Sequence, residues 1–545
     1  MKTKVRAGIM KNRAEGEEGV DLTRSAAQAA APGTVYLVGG GPGDPGLLTE
    51  RGAELLSSAE VVLHDELIHP ALLSRVRPDA VVMAVGKRGA DRVSKQAKQD
   101  TIEAELVRFG RAGKSVVRLK GGDPYLFGRG SEEAEALARA GVPFEVVPGV
   151  CSPLAATAYA GFSLTHRDLA SSVTLVSGTM RSGAGYDWSE LASVKGTICV
   201  LMGMHNLEEV VAGLLGPSRR DPTTPAAVIQ WGTRAEQRVV TGTVAEIADK
   251  ARAAGLGSPG IVLVGAVAAR REALRWFDTR PLFGKRVALL RPRGQAQSVA
   301  KRLRQRGAEP YVWPAIEIGP PPDPPSVSAL VHELGTWDVV AFTSENGVER
   351  LFAAIAEAGL DARAFGRAKV AAIGTGTAAA LLARGIRADI MPADFRGEGL
   401  AVAILADEEI RKRLSEKKIV RVVIPRALVA REALPEMLRA AGCEVRVVPV
   451  YETRKAGPER AAELVQRFSE KSIDVVLLSA TSTVEGLVSA LGAQAGALLS
   501  GVTVASIGEI TTESARARGI EVAVTAETST MEGLVEAVER YFARK

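Results

Sequence analysis

The sequence predicts an α/β protein of more than one domain, whose C-terminal half is a pair of similar doubly wound parallel-sheet lobes. Three observations carry that expectation. The chain has 545 residues, against about 100–200 for a typical domain. Short Val/Ile/Leu runs repeatedly enter Gly or Ser/Thr turns and then helical patterns, the alternation of a parallel sheet covered by helices. The last 260 or so residues also contain an internal duplication.

Composition sets the outer limits. Hydrophobic residues make up 46% and charged residues 24%, the usual balance of a chain with packed cores. The net charge of +6 is spread thinly: the basic excess is two in residues 1–33, one in 34–283 and three in 284–545. No basic stripe for nucleic acid results, and no apolar run approaches the ~20 residues of a membrane span. Three separated cysteines, Cys151, Cys199 and Cys443, form no disulfide framework or zinc motif, so a reducing cytoplasm is expected. His64 and His69 are five apart, which does not place both rings on one helical face, and no metal is expected. Residues 1–33 mix basic, acidic and small residues without an apolar core. They read as a disordered tail or an over-extended start rather than a targeting segment.

The first element is a strand, Thr34-Val-Tyr-Leu-Val38, running into Gly39–Gly46. Gly41-x-Gly43-x-x-Gly46, with Asp65 beyond a second strand at Val61-Val-Leu63, satisfies the dinucleotide fingerprint. That site needs free N–H groups facing a pyrophosphate. Pro45 has none and Asp44 adds a negative charge, so a ligand without phosphate, or a cationic one, suits the loop better. A nicotinamide dehydrogenase is the rival reading.

A short segment at Thr279–Gly284 ends the first half, and a strand begins at Arg286. Beyond it Arg286-Val-Ala-Leu-Leu-Arg291 recurs as Arg421-Val-Val-Ile-Pro-Arg426, 135 residues on. Asp338-Val-Val-Ala-Phe-Thr-Ser344 recurs as Asp474-Val-Val-Leu-Leu-Ser-Ala480 at 136, and Ala371-Ala-Ile-Gly374 as Ala505-Ser-Ile-Gly508 at 134. The repeat units are about 284–418 and 419–545, with strands expected to exchange between lobes. A cleft is expected at the carboxyl ends of their strands. Gly319-Pro-Pro-Pro-Asp-Pro-Pro325 reads as a stiff surface loop.

Several motifs of the first half strongly resemble uroporphyrinogen-III C-methyltransferase over about 34–283. They are the Gly-rich turn through Thr49, Val61-Val-Leu-His-Asp65, Val85-Gly-Lys-Arg88, Arg118-Leu-Lys-Gly-Gly-Asp-Pro-Tyr-Leu-Phe-Gly-Arg-Gly130, Val147-Pro-Gly149 and Leu164-Thr-His-Arg-Asp168. The duplicated half resembles uroporphyrinogen-III synthase over 284–545, through Phe342-Thr-Ser-Glu-Asn-Gly-Val348, Val448-Pro-Val-Tyr-Glu-Thr453 and Ala505–Gly508. The resemblance implies a two-lobed α/β domain of the tetrapyrrole-methylase type at 34–283. It also implies two consecutive activities of tetrapyrrole biosynthesis. Hydroxymethylbilane would be cyclised with inversion of ring D, and uroporphyrinogen III would be methylated at C2 and C7 by S-adenosyl-L-methionine to precorrin-2, a precursor of sirohaem or cobalamin. A homodimer through the methylase domain is implied too. The alternative is a methyltransferase carrying an inactive or sensor-like binding module.

Carried over by position, the resemblance places the cofactor against Pro42, Gly121, Gly122, Asp123, Leu126, Cys151, Ser152, Met202 and Gly232. It makes Asp65 and Lys87 proton acceptor and donor, and Tyr451 the synthase's catalytic candidate. Arg88–Gln99 is longer than usual in that family, and Cys151 stands where threonine is frequent. Asp123 has a second reading, as a turn-stabilising carboxylate, and Tyr451 one as a buried aromatic. Among the synthase strand ends, Thr343, Ser344, Thr377, Ser479 and Thr511 are candidates for binding substrate carboxylates. Arg291 and Arg426, equivalent in the repeat, would do so with more charge.

Overall fold

The computed structural model describes residues 30–85, 95–179, 188–216 and 220–544. They fall into two compact units that divide between Gly284 and Lys285. The expected tail differs at its end: Ala30 donates its N–H to Ser58 and Ala31 to the Tyr36 hydroxyl, so residues 30–33 belong to the folded part. Residues 1–29 lie outside the described residues.

The first unit contains two sheets. β1 (Val35–Gly39), β2 (Val61–His64), β3 (Val81–Ala84), β4 (Val116–Lys120) and β5 (Phe144–Val147) form a sheet of order β3-β2-β4-β1-β5, parallel at every pairing. β1 alternates its burial: Val35 and Leu37 pack with Leu106 and Leu137 on one face, Tyr36 and Val38 with Leu55 and Leu56 on the other. That two-sided burial is what makes the strand a nearly continuous apolar run. β6 (Val173–Ser177), β7 (Thr197–Leu201), β8 (Pro225–Gln230), β9 (Arg238–Thr243) and β10 (Gly260–Val264) form the second sheet, of order β6-β7-β10-β8-β9. Here only β6 and β7 run parallel; β7-β10, β10-β8 and β8-β9 are antiparallel.

The second unit has two parallel sheets and one ribbon. Its strands are β11 (Arg286–Leu289), β12 (Glu309–Val312), β13 (Ile316–Ile318), β14 (Val339–Phe342), β15 (Lys369–Ala372) and β16 (Arg421–Ala427). They continue with β17 (Glu444–Tyr451), β18 (Thr453–Lys455), β19 (Val475–Leu478), β20 (Thr503–Ser506) and β21 (Val524–Thr525). One sheet has the order β12-β11-β19-β20-β21 and the other β15-β14-β16-β17. Each therefore combines strands of both repeat units. β14 shows the double winding, with Val340 and Phe342 in one core and Val339 and Ala341 in another. The two passages between lobes pair with each other as an antiparallel ribbon, Ile316 against Lys455 and Ile318 against Thr453.

The duplication is visible in detail where strands start. The Asp474 carboxylate accepts the backbone N–H and the guanidinium of Arg286 at the start of β11. Its repeat partner Asp338 accepts the N–H of Arg421 at the start of β16. The proline-rich stretch departs from the loop expectation at its end: Pro324 and Pro325 begin the helix Pro324–Glu333, capped by Asp323. Proline suits the first helical turn, whose N–H groups lack intrahelical partners.

Candidate functional site

In the first unit the carboxyl ends of β1 and β4 meet backbone to backbone. Gly41 and Gly122 exchange N–H···O bonds of 3.3 and 2.8 Å, and Gly40 donates to the Lys120 carbonyl at 2.7 Å. A Cβ on Gly149, after β5, would stand 2.3 Å from the Gly122 carbonyl oxygen, so only glycine permits this approach. Gly122 has φ +70°. A Cβ there would meet nothing nearer than the Ser152 nitrogen at 3.7 Å, and one on Gly121 only Leu67 at 3.9 Å. The Gly121–Gly122 turn thus borders open space. Cys151 immediately precedes the helix Ser152–Tyr159 beside it, and Gly232, after β8, packs on Ala156 of that helix. Met202 ends β7 with φ +55° and is 45% exposed. Phe127, Arg129, Trp231 and Thr233 share positive φ, a concentration of backbone strain around these strand ends.

Pro42, Gly121, Gly122, Cys151, Ser152 and Gly232 are thereby gathered around one turn, with Met202 on the second sheet. Two carboxylates behave differently from expectation. Asp123 accepts from the N–H groups of Tyr125, Leu126 and Gly149 at 2.8–3.1 Å; both its oxygens stitch the turn, which is the second reading given above. Leu126 enters through that same bond. Asp44 accepts from Gly46 N–H and the Tyr159 hydroxyl at 2.7 and 2.8 Å. Its charge is therefore engaged by the protein, and burial together with Asp44 raises the Tyr159 hydroxyl well above the usual tyrosine value. The loop's suitability for a cationic ligand does not follow from Asp44.

Asp65 follows β2. Its Oδ1 accepts from Arg118 at 2.5 Å and its Oδ2 from Gly121 N–H at 3.1 Å. Burial pushes the carboxyl up, but the charges of Arg118 and Lys120 and the two hydrogen bonds outweigh it, and the group stays below the usual carboxylate range. The sheet order also disposes of the dinucleotide rival: β4 lies between β1 and β2, whereas that site requires the acidic residue on a strand adjacent to the first. Lys87 lies outside the described residues. No group of three metal-ligating side chains occurs among the described residues.

In the second unit Tyr451 ends β17, 5% exposed, with its hydroxyl 3.1 Å from the Ser344 hydroxyl. Ser344 follows Thr343 at the end of β14 and caps the next helix through Gly347. Arg291, after β11, bonds Gln295 at 3.1 Å and lies 3.9 Å from Glu345 of the other lobe; Gln295 in turn donates to Asn346 at 3.1 Å. Ser479 ends β19. Thr377 and Thr511, repeat equivalents, are buried in the first turns of their helices. Arg426 contradicts its expected role most clearly: it is 6% exposed and engaged by the Arg431 carbonyl and Glu432. Buried and paired, it braces a turn instead of facing a ligand.

Sequence reasoning missed a cavity of about 390 Å³ between the lobes, lined by Gln295, Glu317, Asn346, Arg350 and Arg460. None of the expected substrate residues lines it, although Gln295 is bonded to Arg291. The repeat signal pointed to strand ends, while this cavity lies against the ribbon, which the duplication does not mark. Also missed was the buried set Arg118, Lys120 and Glu133; two cations in an otherwise apolar strand were the available signal.

Residues 34–248 match the family of Tetrapyrrole (Corrin/Porphyrin) Methylases, and residues 297–536 the family of Uroporphyrinogen-III synthase HemD. The chain is 35% identical over 486 residues to the porphyrin biosynthesis protein HemD of Ruminiclostridium josui, covering 89% of this chain and 93% of the relative. It is 37% identical over 334 residues to the uroporphyrinogen-III C-methyltransferase of Bacillus subtilis, covering 61% and 68%. The siroheme synthase 2 of Aeromonas salmonicida is 45% identical over 249 residues, and this chain spans about half of its length (51%). Among solved structures, the Thermus thermophilus uroporphyrin-III C-methyl transferase complexed with S-adenyl homocysteine is 40% identical, covering 43% of this chain and 99% of that one, with a TM-score of 0.38. Matched unit by unit, and by one relative almost end to end, the chain belongs to the enzymes of tetrapyrrole biosynthesis that join a tetrapyrrole methylase to a uroporphyrinogen-III synthase.

Proposed function

We propose that the second unit closes hydroxymethylbilane to uroporphyrinogen III with inversion of ring D, and that the first methylates this product at C2 and C7 to precorrin-2. The observation that carries the methylase reading is the turn at Gly121–Gly122, open on the side where side chains would project and bordered by Asp65, Cys151 and Ser152. S-adenosyl-L-methionine, held by Pro42, Gly121, Gly122, Leu126, Cys151, Ser152, Met202 and Gly232, supplies the methyl groups as a sulfonium. Asp123 acts one step back, by holding the turn. Asp65, ionised across neutral pH, accepts the proton lost by the methylated ring; Lys87 is the donor. No metal takes part.

In the synthase unit Tyr451 donates a proton to the departing hydroxyl of the bilane, oriented by Ser344. Arg291, Thr343, Ser344 and Ser479 meet substrate carboxylates at the strand ends. Thr377, Thr511 and Arg426 shape those ends from within. The protein is proposed to work in the cytoplasm, as a homodimer through the methylase unit and without nucleic-acid or membrane partners.

One reaction tests both halves. Full-length protein with hydroxymethylbilane and S-adenosyl-L-methionine gives, by mass spectrometry, a uroporphyrinogen carrying two added methyl groups. Accumulation of unmethylated uroporphyrinogen I alone overturns the synthase assignment, and tight binding of NAD(H) in place of S-adenosylhomocysteine overturns the methylase one.

A further inference from the structure

β4 carries two cations, Arg118 and Lys120, on one face of the strand, each 2% exposed. Against them stands Glu133, from the first turns of the helix Gly130–Arg139, with no exposed surface. Its Oε1 accepts from Arg118 Nε at 3.1 Å, Lys120 Nζ at 2.9 Å and Gln99 Nε2 at 3.5 Å. Its Oε2 is buried without a hydrogen-bond partner among the described residues. The Nη2 of the same guanidinium donates to Asp65. Of these groups only Asp65 reaches solvent, its side chain 34% exposed. Stability does not account for such a set, because buried ion pairs are often no better than apolar packing of the same volume. The line of contacts runs from a buried anchor to the carboxylate that accepts the Gly121 N–H.

We propose that Glu133 is a positioning residue of the methyl-transfer site: it grips Arg118 through Nε so that Nη2 of the same guanidinium orients Asp65. The proposal rests on reading Asp65 as the proton acceptor. Among the described residues, the other charged groups on neighbouring elements are engaged elsewhere. His64 turns its Nδ1 to the Asp65 carbonyl, Lys120 bonds Glu133, and Arg129 pairs with Glu132 on the same helix as Glu133. None of them replaces Arg118 at the Asp65 carboxylate. Removing the Glu133 charge leaves Arg118 and Lys120 to act on Asp65 uncompensated and moves its titration downward, whereas losing the Arg118 hydrogen bond lets burial move it upward.

The test is Glu133→Gln in the full-length protein, with the synthase reaction of the same chain as the control for folding. Expected are unchanged synthase activity and S-adenosylhomocysteine affinity, a fall of about tenfold or more in kcat for methyl transfer, and an acid limb of the pH profile displaced to lower pH. Glu133→Asp, which keeps the charge, recovers part of both. A folded Glu133→Gln variant with wild-type kcat and acid limb overturns the proposal. If that variant does not fold, Arg118→Lys, which keeps the charge and loses the guanidinium fork, displaces the acid limb to higher pH, and an unmoved profile there overturns the proposal equally. The two failures separate: a wild-type protein that methylates nothing overturns the functional reading itself, while normal methylation with an unmoved profile in the variant overturns only the role of Glu133.

Discussion

Single atoms decide most at the places where backbone meets backbone. A methyl group on Gly149 would collide with the Gly122 carbonyl at 2.3 Å, so Gly149→Ala should force β5 away from the Gly121–Gly122 turn. The expected result is loss of S-adenosylhomocysteine binding by calorimetry with synthase activity retained. Tyr451→Phe removes a buried hydroxyl that bonds Ser344. The stability cost should be modest, about 0.5–1.5 kcal/mol, but formation of uroporphyrinogen III should slow by about a hundredfold or more if the hydroxyl is the general acid. A rate within threefold of wild type would leave Tyr451 as packing alone. Residue identity was legible in the sequence where motifs are dense, as at Asp65 and Gly122. Burial was not: Arg291 reaches toward the other lobe, while its repeat equivalent Arg426 is paired beneath the surface. The local difference is Glu432, six residues on, where the first repeat has Gln297, but that spacing alone does not say that the pair is buried.

Elements follow a different logic, since a repeat in sequence need not be a body in space. β11 and β12 pair into the sheet completed by β19, β20 and β21, while β14 and β15 join β16 and β17. A fragment cut at the repeat boundary, such as 285–418, therefore contains parts of two sheets and should not melt cooperatively. A fragment of 320–451 contains one whole sheet with its helices and should. Circular dichroism melting of the two fragments distinguishes these outcomes. The existence of the duplicated strands was readable because strands buried on both faces leave near-continuous apolar runs. The antiparallel pairings of the second sheet in the first unit were not, because β8 and β9 carry no short hairpin turn of the Asn-Gly kind.

Across the whole molecule, several cation-paired carboxylates share one titration behaviour. Asp65, Asp407 and Asp474 are each pushed up by burial but held lower overall by their partners: Arg118 and Lys120, Lys369, and Arg286 respectively. A carboxyl with a lowered native value contributes stability that is complete above its unfolded value and disappears as pH falls through the native one. Both units should therefore lose stability on acidification through and below the ordinary carboxylate range, with little change between pH 6 and 8, roughly, from these groups. Calorimetric melting against pH measures this, and a stability maximum below pH 4, roughly, would contradict it.

The exchange of strands has a consequence for how the protein is made. Arg286 and Asp474, which bond at the start of β11, are 188 positions apart. At about 5–20 residues per second, β11 emerges on the order of ten to forty seconds before the strand it must pair with. The intervening lobe, contiguous in sequence, can fold during that interval. The first lobe then behaves as a host closing around a completed guest, with its edges unpaired until β19 has been made. A stop between β18 and β19 would release a chain with one finished lobe and two orphaned strands, a species that invites aggregation.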